Sequence, residues 1–442
     1  SKRVGLRTDA SGKFEKGLDP NNAQAAIDRA CQLMEELGAG EVVGGMADVY
    51  TKKKEPVRVP FEPEKINSLL GTDISKEDML EYLSRVELAY DEATNEIVAP
   101  TFRHDIFRTA DIAEEVARFY GYDNIPTTLP SGEATTGKLP FKLRIEEVAR
   151  DVAEYCGFSQ GYCYSFESPK VFDKLQIPAG DELRNAITIS NPLGEDFSIM
   201  RTISLNGMLT SLATNYNRRN KNVRLYELGN VYLPKALPLT ELPDERMMFT
   251  LGMYGDGDFF DMKGVVEEFF DQIGMHKKTE YDPKAGKTFL HPGRQALISY
   301  EGEVMGYLGE VHPAVADTYG IGTRAYVAVL DILNVVKHAS FDRKYEGIAK
   351  FPAVNRDISM VVPKEIMVGQ IEHMITQRGG KILEHFELFD IYEGDQIEKG
   401  FKSVAYSLTF RSKEKTLEEA EINGAMNKIL NGLEGMGIQL RK

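Results

Sequence analysis

The sequence is poor in cysteine and has no long apolar run. Its 442 residues include three cysteines, Cys31, Cys156 and Cys163, and their spacing forms no metal-binding pattern. So few thiols in so long a chain favour a reducing compartment and a packing role for each cysteine. No stretch of about eighteen consecutive apolar residues occurs, which excludes a membrane-spanning helix. These absences predict a cytoplasmic protein with no membrane partner.

The chain also lacks an initiating methionine and the apolar core of a signal peptide, since it opens with SKRVGLRTDASGKFEKG. This opening predicts a fragment of a longer protein. At 442 residues the chain is too long for one hydrophobic core, so we expect about three or four domains.

Positive charge is in short supply, because the formal net charge is −15. Phosphate binding depends mainly on Lys and Arg, so this balance excludes a nucleic-acid coat driven by overall charge. It leaves open an RNA partner that is contacted by one local patch. The hydrophobic fraction of 42% and the charged fraction of 27% are typical of a soluble globular protein.

The most informative stretch is residues 99–126, APTFRHDIFRTADIAEEVARFYGYDNIP. The pattern predicts a helix that Thr109 caps, that runs to Tyr120 and that stops at Gly121. One face of this helix is apolar, with residues recurring at helical spacing. These residues are Ile112, Ala113, Val116, Ala117 and Tyr120.

Four acidic residues lie close together in this stretch: Asp105, Asp111, Glu114 and Glu115. Asp105 lies in the preceding loop and can fold back toward the first helical turn, where the helix dipole favours negative charge. Carboxylate oxygens of this kind suit Mg²⁺. Without a cation the carboxylates would repel one another, which should raise some of their pKa values. The alternative is a solvated acidic helix face with no ligand.

The order of residues in this stretch resembles the metal-binding segment of the beta subunits of bacterial phenylalanine–tRNA ligases. The matching positions are Pro100, Thr101, Arg103, Asp105, Ile106, Asp111, Ile112, Glu114, Glu115, Val116, Ala117, Arg118, Tyr120, Gly121, Tyr122, Asp123, Ile125 and Pro126. The resemblance implies that Asp105, Asp111, Glu114 and Glu115 bind a Mg²⁺ ion shared with an alpha subunit.

Two predicted domains cover the chain up to the end of residues 99–126. Residues 1–50 contain RTDASGKFEKGLDP, which resembles the end of the family's editing domain, and a helix that should begin near Asp19-Pro20 and stop at Gly38. The editing pocket itself is implied to lie outside the chain. Residues 51–128 predict a small α+β domain with a strand at VRVPF, a helix at SKEDMLEYLSRV and a hairpin before the acidic helix. The segment TTLPSGEATTGKLP that follows is a predicted linker.

Residues 129–340 alternate strand-like and helical stretches and predict an α+β core with a mostly antiparallel sheet. Strands are predicted at FSQGYCYSF, AITISNPL, NVRLYELGNVYL, RMMFTLGMYG and YVAVLDIL, and a hairpin that turns at Glu301-Gly302 is predicted at ALISYEGEVMGYLGEVHP. This order resembles the family's class II synthetase-like core.

An active class II site needs an arginine for the ATP phosphates, whereas the comparable place here carries Glu310. No phosphate-binding glycine loop is present either. We therefore expect no catalytic residues and a pseudo-catalytic scaffold.

Residues 344–442 predict the order βαββαβ, which is a ferredoxin-like fold. KFPAV and RDI at the start of this region resemble the family's anticodon-binding domain. Phe386, Phe389, Tyr406 and Phe410 either stack on unpaired bases or form the core. The sequence leaves the tRNA-contacting residues unassigned.

Together these patterns predict a multidomain α+β protein whose resemblance covers essentially the whole chain. The resemblance implies an enzyme of two alpha and two beta subunits, a heterotetramer that uses ATP and Mg²⁺ to attach phenylalanine to its tRNA. The alpha subunit would hold the ATP and phenylalanine pockets, and this chain would act as scaffold, Mg²⁺ site and tRNA contact. Two alternatives are a stand-alone RNA-binding or assembly protein without catalysis, and a Mg²⁺-dependent hydrolase that uses the four acids.

Overall fold

The chain folds into two compact units, Ser1–Thr136 and Gly137–Lys442, in a computed structural model that describes residues 1–275, 278–345, 347–394 and 396–441. Lys442, where the last predicted domain ends, lies outside the described residues. Among those described, no helix is long and apolar enough to cross a membrane.

The first unit contains five helices and a three-stranded antiparallel sheet with the order β1-β3-β2 among its described residues. The helices are α1 (Asp9–Lys16), α2 (Ala23–Glu36), α3 (Pro63–Leu70), α4 (Lys76–Ser84) and α5 (Thr109–Tyr120). The strands are β1 (Val57–Pro60), β2 (Ala89–Asp91) and β3 (Glu96–Ala99).

The predicted helix after Asp19-Pro20 is confirmed as a short 3₁₀ turn followed by α2. The Asp19 carboxylate accepts a hydrogen bond from the backbone N–H of Asn21, and Gly38 adopts a left-handed φ of 66° just after the helix. Residues 1–50 are all described, and none of them is buried. Apolar side chains of α2 such as Ile27 and Met34 are therefore exposed in this chain.

The small α+β domain has a core of its own, which fixes the position of the acidic helix. The strand, the capped helix and the hairpin that the sequence predicts are all confirmed as β1, α4 and β2–β3. Helix α3 was not predicted, although Pro63 opens it and Gly71 ends it in a left-handed conformation. The apolar face of α5 packs into this core through Ile112, Ala113 and Val116. No helix or strand occurs in residues 126–140, all of which are described, as expected of a linker.

The second unit begins with a sheet of seven strands in the order β4-β7-β8-β12-β11-β10-β9. These strands are β4 (Ser159–Gln160), β7 (Val223–Leu233), β8 (Asp244–Tyr254), β9 (Thr279–Asp282), β10 (Leu290–Tyr300), β11 (Glu303–Val311) and β12 (Ala325–Asp331). A separate pair is formed by β5 (Phe166–Glu167) and β6 (Ile199–Met200). The accompanying helices are α6 (Phe141–Tyr155), α7 (Val171–Lys174), α8 (Leu205–Asn217), α9 (Phe259–Gln272), α10 (Pro313–Tyr319) and α11 (Ile332–His338).

The mostly antiparallel sheet is confirmed, with β4 and β7 as the parallel pair. The predicted hairpin β10–β11 turns at Glu301 and Gly302, both with positive φ, as a tight hairpin turn requires. Alternate residues of β12 enter two different hydrophobic clusters, so both faces of the sheet are covered.

Two strand predictions in this region are wrong in extent. AITISNPL forms an isolated bridge between Thr188 and Ile199 instead of a strand. Pro192 has no N–H with which to extend that pairing. FSQGYCYSF is divided into β4 and β5, and Gly161 lies in the irregular stretch between them.

The last domain is ferredoxin-like, and the predicted order βαββαβ is confirmed. Its elements are β13 (Val354–Pro363), α12 (Val368–Gly379), β14 (Leu383–Tyr392), β15 (Phe401–Phe410), α13 (Glu419–Glu434) and β16 (Gln439–Leu440). The antiparallel sheet has the order β14-β15-β13-β16. Both helices contribute to one hydrophobic cluster with alternate sheet residues, so this domain has its own core.

Candidate functional site

Helix α5 begins and ends as the sequence predicts, but its cap differs. The helix spans Thr109–Tyr120 and is followed by Gly121 with a φ of 96°. Thr109 is the first helical residue, so its prediction as the cap is wrong, and its hydroxyl donates to Glu62 instead. The cap residue is Arg108, and Asp111 in the first turn bonds back to it: Asp111 Oδ2 accepts the backbone N–H groups of Phe107 and Arg108 at 3.0 Å each.

Arg103 is the cation around which two of the predicted carboxylates gather. Its Nε donates to Asp105 Oδ1 at 2.9 Å, and its Nη2 donates to Asp105 Oδ2 at 2.6 Å. The same Nη2 donates to Glu115 Oε1 at 2.7 Å. The guanidinium therefore bridges the loop before α5 to the second turn of the helix.

Glu115 is buried between two arginines. Its side chain is 9% exposed, and its second oxygen accepts a hydrogen bond from Arg118 on the same helix. Glu114, the neighbouring residue, is exposed, and its side chain forms no hydrogen bond or ion pair with the described residues. Adjacent glutamates thus differ completely in environment, because they lie on different faces of α5.

The pKa values of Asp105, Asp111 and Glu115 are lowered, so the expectation that repulsion raises some of these values is wrong for these three. The hydrogen bonds from Arg103 lower the pKa of Asp105. Burial by itself would raise the pKa of Glu115, but the hydrogen bonds from Arg118 and Arg103 outweigh it and the pKa falls. Burial would also raise the pKa of Asp111. The hydrogen bonds from the backbone N–H of Phe107 and from the side chain of Arg108 outweigh that effect, and the pKa of Asp111 falls. Each of these three carboxylates already has a donor that favours its charged form.

The structure does not bring the four acids together as a ligand set. Arg103 joins Asp105 to Glu115, Asp111 accepts the backbone N–H groups just before the helix, and Glu114 is exposed without a described partner. Over the whole described chain, no group of three or more Asp, Glu, His or Cys side chains is placed to hold a metal ion. Carboxylates suit Mg²⁺ by their chemistry. As arranged in this chain alone, however, they do not fit a resident ion.

In the core, two arginines are each paired with a buried glutamate. Arg294 donates from Nη1 to both oxygens of Glu310 at 3.0 Å. Arg201 donates to Glu227 Oε1 at 3.0 Å, and both side chains are about 2–3% exposed. The sequence singled out Glu310 as an acid in place of a cation, but it gave no sign that Arg294 faces it.

Four aromatic residues of the ferredoxin-like domain could either stack on bases or form the core, and the register of the sheet decides between these two roles. Tyr406 and Phe410 are fully buried in the cluster beneath the helices, so they belong to the core. Phe386 is partly buried against the same cluster. Phe389 lies at a register shift in β14 and is 57% exposed, so of the four it alone presents a ring to solvent.

Comparisons with known families match four segments of the chain. Residues 1–39 match the B3/4 domain, and residues 59–122 match the tRNA synthetase B5 domain. Residues 125–332 match the phenylalanyl tRNA synthetase beta chain CLM domain, and residues 349–441 match the ferredoxin-fold anticodon binding domain. This combination defines a subunit of an aminoacyl-tRNA synthetase.

Curated relatives align along the whole chain. It is 46% identical over 445 residues to the phenylalanine–tRNA ligase beta subunit of Clostridium acetobutylicum, and 44% identical to that of Clostridium tetani. The match covers 100% of this chain and 56% of each relative. The beta subunit from Bacillus subtilis is 36% identical over 98% of the chain. The chain belongs to the phenylalanine–tRNA ligase beta-subunit family and spans about half the length of these relatives. Their shared name favours the ligase-subunit prediction over a stand-alone RNA-binding protein.

A matched pair of substitutions tests the unequal environments of the two neighbouring glutamates. Glu115→Gln should lower the free energy of unfolding at pH 7 by about 1–3 kcal/mol, because it weakens charged hydrogen bonds of a buried group. Glu114→Gln should change it by less than about 0.5 kcal/mol, since that side chain is exposed. Urea unfolding of the small domain measures both values.

The pH dependence gives a second readout of the same pair. The pKa of Glu115 is lower in the folded state, so its stabilising effect is present above the ordinary value of 4.5 and is lost as the pH falls through the folded-state value. The difference between the original chain and Glu115→Gln should therefore shrink as the pH falls below 4.5. If the original chain and Glu115→Gln were equally stable at neutral pH, that result would contradict the assigned ion pairs of Glu115.

Proposed function

We propose that this chain is the part of a phenylalanine–tRNA ligase beta subunit that supports ATP-dependent attachment of phenylalanine to its tRNA. The observation that carries the proposal is end-to-end alignment with relatives named as that subunit. The proposed enzyme is a cytoplasmic heterotetramer of two alpha and two beta subunits. The alpha subunit holds the ATP and phenylalanine pockets, and this chain contributes a scaffold and tRNA contacts.

The proposed division into domains follows the predicted boundaries. Residues 1–50 form the end of an editing domain, and residues 51–128 form the small domain that carries the acidic helix. Residues 129–340 form a class II synthetase-like core, and residues 344–442 form the anticodon-binding domain. Separate hydrophobic clusters in the last three regions support this division.

A scaffold role for the core is supported by its charges. Binding of ATP phosphates needs cations that are not already neutralised. Arg294 and Arg201 each face a buried carboxylate at hydrogen-bond distance, so neither is available to a phosphate without leaving Glu310 or Glu227 unpaired. The chemistry of adenylate formation is therefore assigned to the alpha subunit.

The chain alone should not catalyse phenylalanine-dependent exchange of pyrophosphate into ATP. Co-expression with an alpha subunit should restore exchange and the attachment of phenylalanine to tRNA, because the reacting groups come from that subunit. The measurement is radioactive exchange by the purified chain and by the purified complex. Robust exchange by the chain alone would refute the scaffold role.

The second proposal is that the ferredoxin-like domain supplies most of the tRNA affinity. A chain that ends at residue 343 should lose most tRNA binding while its other domains stay folded, because the removed domain has its own core. Binding by the full chain should also weaken steeply with salt as counterions are released. Fluorescence titration with tRNA measures both effects, and equal affinity of the two chains would place the contact elsewhere.

The third proposal concerns Mg²⁺, which the family resemblance assigns to Asp105, Asp111, Glu114 and Glu115. Since these carboxylates do not converge in this chain alone, we propose that the ion binds only where the alpha subunit supplies further ligands. Glu114 supports this proposal, because it is an exposed carboxylate without a described partner beside the acidic turn. Asp105 is accessible as well, with its side chain 62% exposed.

Glu114→Gln should weaken the Mg²⁺ dependence of association between the alpha subunit and this chain. Glu64→Gln, on the first turn of α3 in the same domain, removes one exposed negative charge and serves as the control. The measurement is the dissociation constant of the complex at a series of Mg²⁺ concentrations. Identical curves for the original chain and both variants would mean that the acids form only a solvated helix face.

A further inference from the structure

A concavity of about 220 Å³ lies on the helical side of the ferredoxin-like domain, between the end of α12 and the first turns of α13. We call it the basic groove, because Arg378, Lys381 and Lys428 line it. Its other lining residues are Gly379, Gly380, Ile382, Ala420, Glu421, Gly424 and Ala425. Three cations thus surround a depression whose walls are mostly small residues.

The three cations have no partner among the described residues. Arg378, Lys381 and Lys428 are exposed, and their side chains form no hydrogen bond or ion pair there. The acid on the rim, Glu421, is already bound by Lys415 at 2.9 Å, and this contact lowers the pKa of Glu421. The groove therefore carries unneutralised positive charge in a chain whose net charge is −15.

The stem of Arg378 lies close to α13, and the lining of the groove is open at Gly424. A Cβ placed on Gly432 of α13 would lie 3.1 Å from Cγ of Arg378, so the stem of the arginine passes close to the second helix. A Cβ placed on Gly424 would meet nothing within 4 Å. An elongated anion can therefore approach the floor of the groove at Gly424 between the cations.

The open face of the sheet is a poorer surface for RNA. Cross-strand pairing places Asp357, Ser407 and Glu387 in one row and Ser359, Ala405 and Asp390 in the next. The three carboxylates of these rows would repel phosphates. One cation, Arg441, lies at the end of this face, where its guanidinium reaches the hydroxyl of Ser403 at 3.4 Å. Two of the aromatics that might stack on bases are turned to the other side, into the core.

We infer that the basic groove binds the phosphodiester backbone of tRNA, an inference that rests on the proposed tRNA-binding function. A guanidinium fork and two ammonium groups suit consecutive phosphates, and such contacts fix the position of an RNA without reading its sequence. Charge complementarity is the reason to choose this occupant, because RNA is the densely anionic ligand that an anticodon-binding domain meets.

A charge-neutralising variant of the full chain, Arg378→Gln with Lys381→Gln and Lys428→Gln, tests the inference. Its affinity for tRNA should fall at least about tenfold at 0.1 M salt, and the slope of log affinity against log salt should decrease by about 2. The matched control removes three charges elsewhere in the same domain, by Lys350→Gln, Lys399→Gln and Lys402→Gln. The control should lose no more than about threefold.

A second pair of variants separates loss of charge from loss of fold. Gly424→Glu places a carboxylate in the open floor of the groove, and Gly424→Gln adds a neutral side chain of the same size. The first should weaken tRNA binding about fivefold or more relative to the second, while both keep the urea unfolding midpoint of the ferredoxin-like domain.

The possible outcomes separate the inference about the basic groove from the proposed tRNA-binding function on which it rests. If the full chain binds tRNA and the groove variants match their controls, the groove is excluded and the tRNA-binding function stands. If the full chain binds no tRNA, both are overturned. A selective loss in the groove variants, with Gly424→Glu weaker than Gly424→Gln, establishes the groove as the phosphate contact.

Discussion

Neutralisation of buried carboxylates by arginine is the constraint on which the polar architecture of this protein depends. Glu115 is held by Arg103 and Arg118, Glu227 by Arg201, and Glu310 by Arg294. In the Arg201–Glu227 pair, where both side chains are buried, removing either partner leaves a charge without water or a counterion, which costs far more than an exposed pair contributes. Glu167 shows the alternative, because it is buried without a direct ion pair and burial raises its pKa to about 7. Each of these buried carboxylates therefore has either an arginine within hydrogen-bond reach or a raised pKa.

The same constraint changes the meaning of the acidic stretch before and within α5. A set of carboxylates in a sequence suggests a cation from outside, but here the cation belongs to the chain. Arg103 bridges Asp105 and Glu115, and any metal that arrives must compete with that guanidinium. Burial of Glu115 beside the core of the small domain makes its ion pair part of the fold, whereas Glu114 and Asp105 remain accessible. Residues that look equivalent in sequence thus differ in the structure, because one is buried in an ion pair and the others are accessible.

Local charge and net charge are separate properties in the ferredoxin-like domain. The groove between α12 and α13 collects cations with no described partner, while the open sheet face carries carboxylates in adjacent rows. Because salt screens interactions beyond about 8–10 Å, a polyanion at the groove is affected mainly by the charges that line it. A net charge of −15 is therefore compatible with a specific RNA contact.

The sequence by itself determined the order of the elements, because periodicity and turn residues act locally. It predicted α5 and its stop at Gly121, the hairpin at Glu301-Gly302 and the order βαββαβ, and its motifs indicated the family. It missed the cap of α5, since Thr109 is a suitable cap residue by type, whereas the helix begins at Thr109 with Arg108 as its cap. Only the tertiary structure decided which charges meet: Arg294 and Glu310 are sixteen residues apart but lie on paired strands, and Arg378 and Lys428 converge from two helices. Electrostatic partners depend on distance in space, which pairing and packing set and which no local pattern records.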